Sequence, residues 1–139
     1  MTKMTIDELH AFLHEAFPQV AADFAVEEVG DLQIRVRMLI ADRHLRPGGT
    51  VSGPAMMALA DVALYAALLG KIGLVPLAVT SNLNINFLRK PVAHSPIRAR
   101  ASMLRIGKTS GVGEVYILSD GLEDPVAHAT ITYAIPAQR

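Results

Sequence analysis

The feature that most limits how this chain can fold is a long apolar segment near its middle, SGPAMMALADVALYAALLG at residues 52–70. Pro54 suits the first turn of a helix, Ser52 or Gly53 its N-cap, and Gly70 its C-terminal end. A helix that is apolar on nearly every side needs neighbours on nearly every side. We therefore predict a central helix that the rest of the chain encloses.

The segments on either side of this helix are predicted to form the elements that pack around it. An N-terminal helix is predicted within residues 1–18, since Thr5 and Glu8 form a capping box and Pro18 ends the apolar stripe that follows. Two strands come next, and in one of them, residues 32–38, apolar and polar side chains alternate as in a half-buried antiparallel strand. This order favours an α+β fold in which one antiparallel sheet of about six strands curls round the central helix. The four later strands are predicted at residues 81–87, 97–104, 111–118 and 126–135.

Composition narrows the class of protein. We expect a single domain over residues 1–139, because a chain of this length can bury a self-sufficient core. The zero formal net charge and the 5% aromatic content argue against nucleic-acid binding, and the absence of cysteine excludes disulfides and thiolate metal sites. The apolar run is shorter than the roughly 20 residues of a membrane span, and the N-terminus has no apolar signal core. We expect a cytoplasmic protein without membrane contact.

One carboxylate interrupts the central helix. Between residues 54 and 69 the only ionisable side chains are Asp61 and Tyr65. An ordinary helical Asp lies on a solvated stripe or caps a backbone group, but the apolar residues around Asp61 leave it no polar stripe to join. A buried carboxylate is costly unless it is paired, and such groups concentrate where a base or a nucleophile is needed. We interpret Asp61 as a functional carboxylate.

The start of the same helix has the properties of an electrophilic site. The glycine-rich entry at residues 48–54 places backbone N–H groups at the positive end of the helix dipole, where they can polarise a carbonyl oxygen. Gly53 and Asp61 lie about 12 Å apart along a helix, so one carbonyl group cannot contact both. Either they do separate jobs, or the helix end of one subunit faces the Asp of another. A two-fold dimer with antiparallel central helices would make two such sites, and that geometry predicts an obligate dimer.

Several stretches of the chain resemble the hot-dog-fold acyl-CoA thioesterases of the phenylacetate-degradation (PaaI-type) group. The resemblance covers about residues 24–135 and includes the spacing from Gly53 to Asp61. It implies a sheet wrapped round the central helix, and a homodimer with a continuous sheet, often paired into tetramers. It also implies hydrolysis of a small or medium acyl-CoA, with coenzyme A as part of the substrate and no separate cofactor. The stretches that carry it are residues 44–70, SNLNINFLRKP at 81–91 and LRIGKTSG at 104–111.

The resemblance also implies roles for individual residues. Asp61 would be the catalytic carboxylate, acting as general base on water or as nucleophile on the thioester. The Gly53 N–H from the partner subunit would polarise the carbonyl. A hydroxyl at the start of the next strand would help to position water. The family position aligns best with Thr80, whereas alternation puts Ser81 on the helix-facing side, and the two remain alternatives.

Two departures from the family pattern bear on activity. Arg46 stands where Asn is usual, and Ser52-Gly53-Pro54 stands where His-Gly-Gly is usual. Pro54 has no N–H, so an oxyanion site would use Gly53 and later residues, while Arg46 can donate to a carbonyl or a phosphate. Ser52 is either part of the site or only the helix cap. The alternative to an enzyme is a hot-dog protein that binds acyl-CoA or a related ligand without hydrolysing it.

The candidate substrate-binding residues fall into a basic set and an apolar set. Residues 62–113 contain seven basic residues and no Asp or Glu, a distribution that would suit the phosphates of coenzyme A or a solvated sheet edge. Met57 and Tyr65 flank Asp61 and are candidates for an acyl pocket or for plain core. The residues singled out from the basic region are Arg89 and, near the nucleotide by the resemblance, Arg105, Gly107 and Lys108.

Two other kinds of site have weak support. His10 and His14 share a helical face at a spacing that can bind metal, but no third ligand accompanies them, so we expect surface histidines and no metal site. A triad of Ser52, His44 and Asp61 lacks the G-x-S-x-G turn that would expose a nucleophilic serine.

Overall fold

The architecture follows the predicted order of helix, two strands, central helix and four strands. The structure, a computed structural model, describes residues 3–73, 75 and 77–136; residues 1, 2, 74, 76 and 137–139 of the predicted domain lie outside the described residues. The elements are α1 (Ile6–Ala16), α2 (Pro18–Ala21), β1 (Phe24–Gly30), β2 (Gln33–Met38), a 3₁₀ turn (Asp42–His44), α3 (Gly53–Ile72), β3 (Val79–Phe87), β4 (Ile97–Ile106), β5 (Ser110–Ser119) and β6 (Ala127–Ala134).

The N-terminal helix begins as its sequence predicts. The Glu8 N–H donates to Thr5 Oγ1 at 3.1 Å, and the Thr5 N–H donates to Glu8 Oε1 at 2.8 Å, so the capping box is formed. Leu9 and Leu13 point into the core. The helix ends before Pro18, which instead opens the short α2.

All six strands form one sheet in the order β1-β2-β4-β5-β6-β3, and every neighbouring pair is antiparallel. The two edges of the sheet are therefore β1 and β3. β1 and β2 join through the two-residue turn Asp31-Leu32, in which Leu32 has a φ of 64°. Because this conformation belongs to a turn, the strand starts at Gln33 and not at Leu32 as predicted.

The sheet encloses the central helix closely. Every residue of α3 from Ala63 to Gly70 is buried. At the closest approach, a Cβ on Gly113 of β5 would lie 2.4 Å from Leu64 Cδ1 and 2.6 Å from the backbone oxygen of Ser102. By length and composition α3 would also qualify as a membrane-spanning helix, but 67% of its apolar window is buried inside the protein, which favours the predicted core helix.

One face of α3 is left uncovered, and we call it the free stripe. Pro54, Met57 and Ala58 are exposed there, and Asp61 and Val62 are half-buried. These residues are three and four positions apart, so they share one helical face. The stripe is apolar except for Asp61, and Met57 keeps 39% of its surface exposed. The predicted functional carboxylate therefore lies on an apolar face that another surface can cover.

Candidate active site

Asp61 is held by two hydroxyl groups. Thr80 Oγ1 donates to Asp61 Oδ1 at 2.7 Å. Tyr133 Oη lies 2.5 Å from the same oxygen and 2.7 Å from the backbone oxygen of Asp61. Within the part of the chain that the structure describes, no donor reaches Oδ2. One carboxylate oxygen is thus fixed by the protein, and the other can contact a substrate.

The carboxylate is half-buried, which corrects the prediction that it is buried. Asp61 lines two separate cavities, so it is neither sealed against its own backbone nor fully solvated. Two hydroxyl donors replace part of the water that it loses, which lowers the cost of keeping a charge in an apolar helix.

The first of these cavities, which we call the apolar cavity, has a volume of about 340 Å³. Asp61, Thr80 and Tyr133 lie on its wall, and Tyr65 also lines it. Met57 lines neither cavity that contains Asp61, because it points along the free stripe. A mostly apolar cavity with a few convergent polar groups is the usual form of a small-molecule site. Its apolar wall includes Leu13, Phe17, Phe24, Val62, Ala78 and Val79.

The second cavity, which we call the neighbouring cavity, has a volume of about 380 Å³ and lies beside the first half of α3. Asp23, Arg43, His44 and Ser52 line it together with Asp61, although most of its wall is apolar. Asp61 therefore stands where two mainly apolar cavities approach each other.

The histidine of the neighbouring cavity does not form a triad. His44 Nδ1 accepts the Ala41 N–H at 2.9 Å, so the ring proton sits on Nε2, which lies 3.3 Å from Asp23 Oδ2. The ring is thus committed to Asp23, and the structure records no contact from it to Ser52 or Asp61 among the described residues.

At the start of β3 the structure brings Thr80, not Ser81, to Asp61. Ser81 Oγ instead lies 3.3 Å from a backbone oxygen of β6. The pairing of β3 with β6 shifts between Thr80 and Asn82, which marks a β-bulge. A bulge adds one residue to a strand, so the alternation that runs back from Leu83 breaks there and assigns Ser81 to the wrong face.

Tyr133 is the site residue that the sequence reasoning missed. It continues the buried face of β6 after Ala129 and Ile131, and it pairs directly with Thr80 across the sheet, so both hydroxyls reach one oxygen of Asp61. Burial, and then the negative charge of Asp61, raise the pKa of Tyr133 far above its usual range, so the hydroxyl stays protonated and donates. The available signal was an inward-facing tyrosine, which needs a hydrogen-bond partner when buried.

The start of α3 lies apart from the carboxylate. Ser52 is the N-cap, and its Oγ accepts the Ala55 N–H at 3.3 Å, so its hydroxyl has a structural role. Gly53 lies under an aromatic ring, where a Cβ would come within 3.3 Å of Phe87 Cζ. Gly53 and Asp61 belong to the same helix at a separation of about 12 Å. Within one chain, the structure therefore does not bring these two predicted residues together.

A third cavity, which we call the basic cavity, opens beside Gly53 with a volume of about 320 Å³. Arg46, Arg89 and Lys90 line it together with Gly53, so three of the predicted site residues, Arg46, Gly53 and Arg89, meet at the start of α3. Cations beside a helix N-terminus favour an anion.

The other predicted basic residues lie at the far end of the helix. Gly107 and Lys108 form the turn between β4 and β5, and Arg105 lies in the last residues of β4. Arg105 lines a cavity of about 530 Å³ together with Lys71 from the last turn of α3. Since Gly53 and Lys71 are about 27 Å apart along the helix, this group is separate from the basic cavity within one chain.

The N-terminal histidines have a structural explanation. His10 Nε2 accepts the Val26 N–H at 2.8 Å and so fastens α1 to β1; it is half-buried, which corrects its prediction as a surface histidine. His14 is exposed as expected. In residues 3–73, 75 and 77–136, no group of three His, Cys, Asp or Glu side chains is arranged to hold a metal.

Sequence comparison identifies the family. The model of a family described as the thioesterase superfamily matches residues 48–126, more than half of the chain, and the match includes Gly53 and Asp61. A protein of Thermoplasma acidophilum named "Putative esterase Ta0293" is 33% identical over 86 residues. That alignment covers 62% of this chain, and the chain spans only 64% of the length of this curated relative.

Solved structures share the whole fold. A protein of Silicibacter sp. TM1040 named a "putative thioesterase" is 43% identical, with a TM-score of 0.91 over 98% of this chain and 94% of that chain. The phenylacetic acid degradation protein PaaI of Thermus thermophilus, solved as a mutant, is 24% identical, with a TM-score of 0.73 over 86% and 99%. A "hypothetical thioesterase protein" of Streptococcus pneumoniae TIGR4, solved with coenzyme A, is 21% identical, with a TM-score of 0.74 over 97% and 99%.

These likenesses agree with the architecture described above. The predicted hot-dog fold, a six-stranded antiparallel sheet round a long helix with a short helix before it, is confirmed. The family match covers the start of the central helix, its carboxylate and the strands β3, β4 and β5 that follow. This chain belongs to the thioesterase superfamily.

Proposed function

We propose that this protein is an acyl-CoA thioesterase that hydrolyses a small or medium acyl-CoA to the free acid and coenzyme A. The observation that carries the proposal is the Asp61 carboxylate, whose Oδ1 is held by Thr80 and Tyr133 on the wall of an apolar cavity. Hydrolysis of an acyl thioester needs a space for the acyl group and a base within reach of water, and this site supplies both. Membership of the thioesterase superfamily supports the same reaction class.

The acyl group would occupy the apolar cavity. A volume of about 340 Å³ lies at the lower end of the range for small-molecule sites, which agrees with a small or medium acyl chain. Phe17 and Tyr65 line this cavity and pack edge-to-face, with ring centroids 5.7 Å apart, so they can bound the acyl group on the side of α1. The thioester carbon would then lie beside Asp61.

In the proposed reaction Asp61 acts as a general base. Its Oδ2 takes a proton from a water molecule whose oxygen bonds to the thioester carbon, and the carbonyl oxygen becomes an oxyanion. When the C–S bond breaks, the coenzyme A thiolate leaves and takes up that proton. The general-base route suits a carboxylate tied to two strands better than the nucleophilic route, because proton transfer needs no movement of the carboxylate toward carbon.

The oxyanion would be stabilised from a second subunit. The Gly53 N–H at the start of α3 lies at the positive end of the helix dipole, but it is about 12 Å from Asp61 of the same chain. We propose a two-fold homodimer, alone or as half of a tetramer, in which antiparallel helices bring Gly53 of the partner subunit to Asp61. Because Met57 lies midway between these two positions, it would face the partner subunit's Met57 on the two-fold axis. Its place on the apolar free stripe supports this interface.

The free edge of the sheet supports the same dimer. β3 is an edge strand of nine residues, and all of them except Leu83 and Ile85 are exposed. Long exposed edge strands are liabilities unless another strand pairs with them. Pairing with β3 of the partner subunit would satisfy this edge and make a continuous sheet.

Coenzyme A would contact the basic residues. The basic cavity places Arg46 and Arg89 beside Gly53, where phosphate groups would meet both cations and a helix N-terminus. Arg105, Gly107 and Lys108 lie at the other end of α3, which an antiparallel partner helix would bring nearer to that start. The Streptococcus pneumoniae protein of the same fold was solved with coenzyme A, which supports this ligand class.

The test is thiol release from a panel of acyl-CoA substrates by the parent and by Asp61→Asn. We expect the variant to lose at least a hundredfold in kcat, since general-base catalysis typically contributes about 10²–10⁴-fold. Equal rates would overturn the role of Asp61. Tight binding of acyl-CoA with no hydrolysis by the parent would favour a non-catalytic ligand-binding protein.

The proposal that each site spans two subunits is tested separately, again with the Asp61→Asn variant. Asp61→Asn and Gly53→Val chains are co-expressed and compared with each variant alone. If the site spans two subunits, each mixed dimer contains one intact site, and about a quarter of the parental activity returns at equal expression. If both residues served one site within a chain, no activity would return.

A further inference from the structure

We propose that Tyr133 is a positioning residue for the reaction: with Thr80 it fixes Oδ1 of Asp61, so that Oδ2 is the oxygen presented to water. This inference rests on the proposed function, because it assumes that Asp61 is the base. It assigns a role to a residue that belongs to a different element, β6, and that lies far from α3 in sequence.

The position of the Tyr133 hydroxyl is closely determined. Tyr133 is only 3% exposed, and its ring packs against Tyr65 with the centroids 5.7 Å apart. Its backbone is paired with Thr80 on one side and Gly111 on the other, so β6 cannot slide relative to its neighbours. The hydroxyl therefore reaches Asp61 from a rigid strand, which is what a precisely oriented catalytic group requires.

The hydroxyl has two acceptors for its one proton. Oδ1 of Asp61 lies at 2.5 Å and the backbone oxygen of Asp61 at 2.7 Å. A bond to the charged carboxylate is the stronger of the two, so Tyr133 donates to Oδ1 while Asp61 is ionised. Once Oδ2 has taken a proton from water, the Tyr133 proton can turn to the backbone oxygen. Tyr133 thus keeps a hydrogen bond in both protonation states of the base.

The Tyr133 hydroxyl remains a hydrogen-bond donor near neutral pH. Burial and the adjacent carboxylate raise the pKa of Tyr133 above its usual range, so it does not ionise near neutral pH. Tyr133 therefore keeps a proton to offer to Oδ1 of Asp61 throughout the reaction, and loss of the hydroxyl should lower kcat more than it changes KM.

Few other charged or titratable groups of the described residues face Asp61. Tyr65 is on the same helix and lines the apolar cavity, and burial raises its pKa. Across the neighbouring cavity lie Asp23, Arg43 and His44, which are paired with one another. A substitution at Tyr133 leaves all of these groups in place, so a fall in kcat reports on the Tyr133 hydroxyl.

The experiment compares Tyr133→Phe with the parent on the best acyl-CoA of the panel, from pH 4 to pH 9 (kcat and KM at each pH). We expect kcat to fall roughly tenfold or more, while KM changes less than about twofold. A tenfold fall is part of the rate enhancement of about 10²–10⁴-fold that a general base supplies. Tyr116→Phe, on the outer face of β5 beside Arg100, is the matched control and should change neither quantity.

The outcomes separate this inference from the proposed function. If Asp61→Asn is inactive but Tyr133→Phe keeps the parental kcat, the positioning role is wrong and the base survives. If Asp61→Asn is as active as the parent, both are wrong. A fall in rate that follows a lower melting temperature, and disappears when the assay is run well below it, would show that the hydroxyl serves stability only.

Discussion

The side chain of Phe17 forms part of the wall of the apolar cavity. It lies at the end of α1, lines the cavity and packs edge-to-face against Tyr65. Replacing it with alanine removes the ring and enlarges the cavity. If this cavity holds the acyl group, Phe17→Ala should shift hydrolysis toward longer acyl chains.

The size of this shift follows from the apolar surface that a longer chain can bury. Each buried methylene is worth about 0.8 kcal/mol, and the space of a phenyl ring admits roughly two more of them. The gain is therefore about 1.6 kcal/mol, which corresponds to about a 15-fold change in the ratio of kcat/KM for the longer over the shorter substrate. The variant should also be less stable, by less than the 3–5 kcal/mol typical of a fully buried Phe, because Phe17 is only half-buried.

The assay is kcat/KM for thiol release over a series of straight-chain acyl-CoAs, measured well below the melting temperature of each variant. Phe12→Ala is the matched control: Phe12 also packs on Tyr65, with ring centroids 6.2 Å apart, but it does not line the apolar cavity. We expect it to lose stability while keeping the parental chain-length preference. An unchanged preference in Phe17→Ala, or the same shift in Phe12→Ala, would refute the assignment of this cavity to the acyl group.

The remaining predictions concern the hydroxyl at the start of β3 and the contact between helix and sheet. Thr80→Val removes one of the two donors to the Asp61 carboxylate and should lower kcat about tenfold. Ser81→Ala should keep kcat within about twofold of the parent, because the Ser81 hydroxyl contacts only backbone. A larger fall in kcat for Ser81→Ala than for Thr80→Val would contradict the site. Gly113→Ala places a methyl group 2.4 Å from Leu64 Cδ1 and 2.6 Å from a backbone oxygen, and should lower the free energy of unfolding by about 3 kcal/mol in urea melts. A Cβ on Gly111 would meet the side chains of Met103 and Leu68 at 3.1 and 3.3 Å, with backbone no nearer than 3.8 Å, so Gly111→Ala should cost clearly less, and equal losses would contradict the steric argument at Gly113.

Most of the fold could be predicted because its signals are local. The capping box at Thr5, the helix stop before Pro18 and the apolar helix that needed cover on nearly every side all appear as predicted. The strands after α3 were predicted within a few residues of their observed ends, since alternation reports which side of a strand is buried. The turn at Leu32 was placed in the strand by mistake, because an apolar residue in a tight turn continues the alternating pattern.

The site was only partly predictable. Asp61 could be found from the sequence, because a carboxylate within an otherwise apolar helix is costly and is visible in the sequence alone. The choice between Thr80 and Ser81 could not be made, since the β-bulge that decides it leaves no mark in the alternation of β3. Tyr133 was missed because its partner lies 72 residues away along the chain.

The sequence was enough to determine the secondary-structure elements, the enclosure of α3 and the carboxylate that interrupts this helix. The reason is that helix and strand periodicity, and the cost of a charge in apolar surroundings, act over a few neighbouring residues. The tertiary structure alone decided which hydroxyls meet that carboxylate, through the register that sets Thr80 opposite Tyr133. Such a register is a property of two strands packed together on one helix, and no single segment encodes it.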